Sequence, residues 1–108
     1  MNKVAVYTTI APPMLPFVPE FLRSIESQTD RDFDLWVGVD DVAMPAGMIQ
    51  SFGRRLEVVR AKPGDSPAVI RERAWRKIVE RYEVLVVVDS DDVAEPTRVE
   101  AGRRGGRI

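Results

Sequence analysis

The sequence predicts an α/β fold: an open, mostly parallel sheet flanked by helices, in the order β-α-β-α-β-α-β. The first observation behind this is the apolar run over residues 84–88, which has no polar alternation. Such runs are typical of strands covered on both faces of a parallel sheet. The second is that short apolar strands alternate with helical patterns through short connections, which favours right-handed crossovers. The third is that acidic residues directly follow two of these strands, at 40–41 and at 89–92.

Each element has a local signal in the sequence. The predicted strands are rich in β-branched and apolar residues and span 3–10, 33–39, 56–60 and 84–88. The predicted helices begin near residue 17 and end at 28–31, span 48–54 and 67–81, and begin again at 95 or 96. Ser66 is the clearest start signal, as an N-cap followed by Pro67 at the first helical position. The proline-rich segment 11–16 is a predicted loop.

The domain organisation predicted from this pattern is simple. There is no internal repeat and no linker, so residues 1–101 form one domain, and the Gly/Arg-rich residues 102–108 form a disordered tail. No segment approaches the roughly 20 apolar residues of a membrane span. Residues 1–17 lack the cleavage site of a signal peptide, so the predicted location is cytoplasmic.

Composition excludes several classes of function. The net charge is −1, which gives no electrostatic reason to expect nucleic acid or an anionic membrane as a partner. The chain has no Cys and no His, which removes disulfides, thiol catalysis, Ser-His-Asp chemistry and the usual zinc sites. Any metal must therefore be bound by oxygen atoms, which favours magnesium, manganese or calcium.

Three carboxylates follow the last predicted strand within four positions: Asp89, Asp91 and Asp92. Carboxylates this close in sequence repel each other unless a cation or hydrogen-bond donors compensate. Ligands of open α/β sheets bind beyond the carboxyl ends of the strands, where these acids are expected. The pattern predicts a divalent-metal site, and the alternative is a solvated turn.

A second acidic strand end, Asp40 and Asp41, is expected on the same edge of the sheet. An acid there can accept a hydrogen bond from a ribose hydroxyl or a base N–H, and the alternative is a cap of the following turn. Arg71 falls within the apolar stripe of the 67–82 helical wheel, near the same edge. Such an Arg either points inward to a phosphate or carboxylate, or snorkels at the surface. Arg73 lies on a flanking face near the same end.

Several segments together resemble one family. They are the first strand with Thr8 and Thr9, the run FLRSIESQT at 21–29, DFDL at 32–35, the Asp40-Asp41 pair and VDSDD at 88–92. As a set, over about residues 3–100, they are similar to the nucleotide-binding, Rossmann-like half of the family 2 glycosyltransferases of GT-A fold. The segment QTDRDF also resembles the related rhamnosyltransferase-like proteins.

This resemblance implies a nucleoside-diphosphate-sugar donor bound together with Mg or Mn, and it implies no particular catalytic residue here. Thr9 would lie beside the nucleotide base, and Asp40 would accept a hydrogen bond from that base. Arg71 or Arg73 would be the family's Arg on the helix before the D-x-D strand. Asp89 would hold the ribose. Asp91, together with Asp89, would coordinate the metal that bridges the diphosphate.

The chain departs from the family in three places. The family has Pro and Asn near the end of the first strand, where this chain has Thr8-Thr9-Ile10, and Arg-Asn where it has Arg73-Ala74. Only positions 93 to 108, sixteen residues, follow Asp92, so we expect no acceptor-binding half within this sequence.

Three functions remain open on the sequence alone. The first is the donor half of a glycosyltransferase. The second is a non-catalytic α/β fragment that needs a partner, either a second copy of itself or the missing C-terminal half. The third is a receiver-like signalling domain with Asp89 as phosphoacceptor, although such a domain needs a Lys on a later strand, for which no room remains.

Overall fold

The computed structural model describes residues 3–89 and 94–105. Within these residues the strands are β1 (Val4–Ile10), β2 (Asp34–Val39), β3 (Leu56–Arg60) and β4 (Val84–Val87). The α-helices are α1 (Val18–Glu26), α2 (Ala46–Phe52), α3 (Pro67–Arg81) and α4 (Arg98–Gly105). Short 3-10 helices span Pro12–Phe17 and Gly53–Arg55.

The strands form one sheet in the order β3-β2-β1-β4, and every neighbouring pair is parallel. This confirms the predicted α/β fold and its element order. Because all strands run the same way, their carboxyl ends meet at one side of the sheet, which we call the carboxyl edge. β1 lies in the interior of the sheet, between β2 and β4.

Side chains alternate between the two faces of the sheet, and helices cover each face. Among the described residues, the α1 face carries a core of seventeen buried residues that includes side chains of α1, α2 and α4. The α3 face carries a smaller core of eight, which includes three side chains of α3: Ile70, Ala74 and Ile78. In β1, Val4 and Val6 belong to the first core, whereas Ala5 and Tyr7 belong to the second.

The predicted helix over 67–81 is confirmed with its start signal. Ser66 is the N-cap, its Oγ accepts a hydrogen bond from the Val69 N–H at 3.3 Å, and Pro67 occupies the first turn. The predicted loop at 11–16 is instead a 3-10 helix. Two of its prolines, Pro12 and Pro13, lie at the start, where missing N–H groups cost little, and Pro16 lies inside it.

The prediction of a disordered tail from residue 102 is wrong for residues 102–105, which belong to α4. Arg103 anchors them through an ion pair of 2.5 Å with Asp30 and a hydrogen bond of 2.6 Å to the Asp32 carbonyl. Gly102 packs against Val86 so closely that a Cβ would lie 2.5 Å from a Val86 methyl carbon. The glycine and arginine that indicated disorder therefore serve packing. Residues 106–108 lie outside the described part of the chain.

No helix in the described part of the chain has the length and apolar character needed to span a membrane.

Candidate functional site

Thr9 and Asp40 lie on neighbouring strands at the carboxyl edge, with Asp40 two residues beyond the position that pairs with Thr9. Thr9 pairs with Gly38 in the β1–β2 ladder, and the Asp40 N–H donates to the Ile10 carbonyl at 2.9 Å. That bond continues the ladder one residue past β2, so the backbone of Asp40 is held at the strand tip. Both side chains are half-buried. Trp36 faces α3, and the alternation of strand residues then places Gly38 and Asp40 on the same face.

Beneath them lies a tyrosine that the sequence reasoning missed. Tyr7 is 1% exposed, and its hydroxyl is hydrogen-bonded to Thr9 Oγ1 at 2.9 Å. Gly38 makes room for it: a Cβ at position 38 would overlap the Tyr7 hydroxyl and lie 2.8 Å from Ile70 Cγ2. Burial raises the pKa of Tyr7, opposed by the Thr9 hydrogen bond and the nearby charge of Arg71. The hydroxyl therefore stays protonated and available to orient Thr9.

Arg71 is exposed, so the inward orientation is not what the structure shows. Its guanidinium lies over the Trp75 ring, 5.3 Å from the centroid, and Trp75 meets Tyr7 edge-on at 6.5 Å. This is the snorkelling alternative, with the stem and the ring sharing apolar surface. Arg71 and Trp75 line a cavity of about 480 Å³ along α3, whose lining includes neither Thr9 nor Asp40.

Arg73 is engaged by the loop that precedes α3. Its guanidinium forms an ion pair of 2.7 Å with Asp65 and donates to the Arg60 carbonyl at 3.2 Å. The Lys62 N–H and then Arg73 hold the pKa of Asp65 below its usual value. Arg73 thus ties the loop after β3 to α3, whereas Arg71 has its guanidinium on Trp75.

Asp89 is exposed just after β4, and the Val88 N–H that precedes it donates to the Tyr7 carbonyl at 3.0 Å. Asp91 and Asp92 lie outside the described residues. Among residues 3–89 and 94–105, no group of three or more acidic side chains comes close enough to hold a metal. The metal site at Asp89 and Asp91 therefore stays a prediction.

Asp40 and Asp41 diverge at the edge. Asp41 has a φ of 54°, in the left-handed region, which turns the chain away from the line of β2. Asp41 lines an apolar cavity of about 480 Å³ with residues of the Pro12–Phe17 segment and of the loop after β2, among them Leu15 and Met44. Of the two acids, only Asp40 extends the hydrogen-bonded ladder between β1 and β2, beside the end of β1 that carries Thr9.

Comparison with known proteins establishes the fold. No protein-family model matches the chain, and a search of curated proteins finds no match. Crystal structures of Staphylococcus aureus TarS, a GT-A glycosyltransferase, are similar at 18% identity over 94% of this chain. The TM-scores are 0.75 for TarS 1–349 with UDP, 0.72 for TarS 1–349 with UDP-GlcNAc and 0.74 for a longer TarS chain.

This chain spans 31%, 30% and 19% of the lengths of those three TarS chains, in the same order. Structural similarity at 18% identity shows a shared fold and nothing finer. The resemblance to rhamnosyltransferase-like proteins stays a prediction. The chain has the fold of part of a GT-A glycosyltransferase.

Proposed function

We propose that this chain binds a nucleoside-diphosphate sugar together with a divalent cation, as the donor-binding half of a glycosyltransferase. The observation that carries the proposal is the convergence of Thr9 and Asp40 at the carboxyl edge of a GT-A fold. Ligands of parallel α/β sheets bind at that edge. TarS, which shares the fold, has been crystallised with UDP and with UDP-GlcNAc, which supports the same class of ligand here.

The proposed roles at the base follow from hydrogen-bond chemistry. The Asp40 carboxylate accepts from a base N–H, and the Thr9 hydroxyl, oriented by Tyr7, lies beside the base. Asp89 accepts from the ribose hydroxyls. Arg71 carries a long, exposed side chain near this edge, and a guanidinium can bind phosphate oxygens through two parallel bonds.

The proposed cation is Mg or Mn, held by Asp91 with Asp89. The available donors suit these ions, because the chain offers carboxylate oxygens and neither Cys nor His. When bound, the cation would neutralise negative charge that develops on a departing nucleoside diphosphate. Arg71 is proposed to contribute positive charge to the same oxygens.

The test is ligand-dependent stability. UDP- or dTDP-sugar with MnCl₂ is expected to raise the thermal midpoint, because ligand at a hundredfold excess over Kd stabilises by about 2.7 kcal/mol. Asp91→Ala should abolish this shift. Glu83→Ala, which removes an exposed acid at the opposite end of β4, is the matched control and should keep it. A calorimetric titration that detects no nucleotide binding by the wild-type protein would overturn the proposal.

A partner-dependent half-domain is the second candidate, and the free side of β4 favours it. β4 pairs with β1 on one side, while Leu85 and Val87 on the α3 face are only partly buried. Among the described residues β4 has no strand on its other side, and an apolar edge strand is a pairing surface. Arg98 covers part of it by donating to the Val87 carbonyl at 3.1 Å.

This second candidate predicts nucleotide binding without transferase or donor-hydrolysis activity, and a dimer by light scattering if the partner is a second copy. A monomer that transfers sugar by itself would exclude it.

A further inference from the structure

Arg71 differs from the other arginines of α3 in what its guanidinium contacts. The other three each form an ion pair with a carboxylate: Arg73 with Asp65, Arg76 with Glu72 and Arg81 with Glu57. Within the described part of the chain, no carboxylate lies within ion-pair distance of Arg71, and its guanidinium lies over the Trp75 ring. A ring attracts a cation without neutralising it, so Arg71 keeps its positive charge for an anion.

The Trp75 ring is held in place by the α3-face core. It meets the Tyr7 ring edge-on, with the centroids 6.5 Å apart and the planes at 84°. Tyr7 is itself fixed, since it is 1% exposed, its hydroxyl is hydrogen-bonded to Thr9 and Gly38 lies against it. Trp75 is only partly buried, so its ring is anchored on the core and still has surface in contact with Arg71.

The choice of an indole at position 75 suits contact with a cation. The Trp75 Nε1 is buried and has no hydrogen-bond partner among the residues that the structure describes. A buried N–H without a partner is unfavourable, and Phe or Leu at this position would not carry one. Trp is, however, the aromatic residue that attracts a cation most strongly. An indole here is therefore explained better by the Arg71 contact than by packing alone.

The contact prepares Arg71 to bind phosphate. An exposed arginine samples many rotamers, and ordering such a side chain opposes ligand binding. The Trp75 ring restricts Arg71 before a ligand arrives. A cation–π contact engages the charge of the guanidinium and leaves its N–H donors, which match two oxygens of a phosphate group.

A continuous series of contacts joins Arg71 to the carboxyl edge. The guanidinium lies 5.3 Å from the Trp75 centroid, Trp75 packs on Tyr7, and the Tyr7 hydroxyl is 2.9 Å from Thr9 Oγ1. Burial raises the pKa of Tyr7, and the charge of Arg71 opposes this, so the cation acts on the buried hydroxyl. Trp75 therefore fixes where Arg71 lies relative to Thr9, which is proposed to lie beside the base.

We propose that Trp75 is a positioning residue for the diphosphate of the nucleotide: its ring holds the Arg71 guanidinium ready for phosphate, at a fixed place relative to Thr9. Trp75 acts through Arg71 and does not itself contact the ligand. This inference rests on the proposed function, and it concerns how the diphosphate part of the ligand is bound.

The test compares a ligand that carries phosphate with one that does not. At one MnCl₂ concentration, UDP is titrated by calorimetry and uridine is measured by its competition with UDP. Trp75→Leu, which removes the ring and leaves an apolar side chain, is expected to weaken UDP binding about fivefold and uridine binding less than about twofold, as loss of a partly exposed cation–π contact would. Trp75→Phe keeps a weaker ring and should fall between, and it serves alone if Trp75→Leu does not fold.

A double-mutant cycle with Arg71→Ala distinguishes positioning from packing. In the Arg71→Ala background, Trp75→Leu should weaken UDP binding by less than about twofold more, because the side chain that Trp75 positions is gone. If Trp75 only packed, its substitution would weaken UDP binding equally in both backgrounds. The cycle uses UDP alone, so it decides the question even if uridine competes too weakly to measure.

The matched control is Tyr82→Leu, at the other end of α3. The Tyr82 ring also lies under a guanidinium, that of Arg81, at 5.8 Å from the centroid, and its hydroxyl donates to Asp34. Removing this ring should lower the thermal midpoint through lost packing and the lost hydrogen bond. It should leave the UDP affinity of the folded protein unchanged, because Tyr82 lies at the amino edge.

Each result supports or overturns the role of Trp75. Folded Trp75 variants with wild-type UDP affinity overturn it while nucleotide binding stands, as does Arg71→Ala with wild-type UDP affinity. Equal losses of UDP and uridine affinity in Trp75→Leu also overturn it, and so does a Tyr82→Leu variant that weakens UDP binding as much. Wild-type protein that binds neither UDP nor uridine overturns the proposed function, and the inference with it.

Discussion

The two faces of the sheet are covered differently, and the difference separates the larger core from the candidate site. In the part of the chain that the structure describes, the core on the α1 face has seventeen buried residues, with contributions from α1, α2 and α4, whereas the core on the α3 face has eight, under a single helix. One helix cannot cover the full length of four strands. The carboxyl edge on the α3 face is therefore left partly open, and Thr9 and Asp40 lie there half-buried.

Polar side chains also differ between the α1 face and the α3 face of the sheet. On the α1 face, Ser24 and Gln28 are buried, with their hydrogen bonds made to backbone. On the α3 face, two tyrosines mark opposite edges. The Tyr82 hydroxyl donates to Asp34 at the amino edge at 2.6 Å, and burial followed by that bond raises the pKa of Tyr82 to about 12. Tyr7 lies toward the carboxyl edge and binds Thr9 instead. Tyr82 therefore ties the end of α3 to the start of β2, whereas Tyr7 supports the candidate site.

The strongest test of this division is removal of a large side chain from the α1 face. Phe21 is fully buried there, so Phe21→Ala should lower the free energy of unfolding by about 3–5 kcal/mol, measured by urea denaturation. UDP affinity of the folded fraction should be unchanged, because Phe21 lies on the face away from the site. A variant that keeps its stability and loses UDP binding would break the comparison.

The next effect concerns the glycine beneath the site. Gly38→Ala forces a methyl against the Tyr7 hydroxyl and Ile70, so we expect a loss of about 1–3 kcal/mol together with weaker UDP binding. Gly47→Ala is the control on the other face: its Cβ would meet only Leu22 Cδ2, at 3.0 Å, within a helix that favours Ala. Equal effects of the two variants on UDP affinity, by calorimetry, would contradict a site on the α3 face.

The two arginines of α3 allow a sharper comparison. A charged hydrogen bond is worth about 1.5–3 kcal/mol, so Arg71→Ala should weaken UDP binding about tenfold or more if it reaches phosphate. Arg73→Ala should leave UDP affinity unchanged and reduce stability by at most about 1 kcal/mol, since its pair with Asp65 is partly exposed. If a calorimetric titration shows that Arg73→Ala weakens UDP binding and Arg71→Ala does not, the site lies nearer the loop before α3 than proposed.

The smallest expected effect is the pH dependence of the Asp30–Arg103 pair. The hydrogen bond from Arg103 lowers the pKa of Asp30 from its usual 3.8. The stability it contributes is therefore present above about pH 4 and is lost as pH falls through the lowered folded-state pKa. The difference in unfolding free energy between wild type and Asp30→Asn should shrink below pH 3.8. A difference that persists through pH 2 to 3 would mean that the carboxylate charge contributes little.

Local sequence signals were enough for the elements themselves. The bounds of β3 and of α3 agree with prediction because short-range chemistry sets them: a β-branched run in one case, and Ser66-Pro67 with an apolar stripe in the other. The meeting of Thr9 and Asp40 at one edge was also accessible, since parallel strands end on the same side. What the pattern missed were contacts between distant elements.

Arg71 shows why the orientation of individual side chains could not be predicted from the sequence. A helical wheel places it in the apolar stripe, but whether its guanidinium enters the sheet or turns outward depends on Trp75, which packs on Tyr7 and offers its ring. The tail shows the same limit. Glycine and arginine at 102–105 read as disordered until Asp30 and Val86 are brought beside them by α1 and β4.

The sequence by itself determined the α/β order, the parallel sheet and the acidic strand ends, because hydrophobic period and turn chemistry act over a few residues. Tertiary structure alone decided that Tyr7 fits under Gly38, that Arg71 turns outward, and that Gln28 holds a backbone some seventy positions away. Those outcomes depend on which side chains the crossovers bring together: Tyr7 with Gly38, Gln28 with Val99, and Tyr7 with the Trp75 ring that holds Arg71.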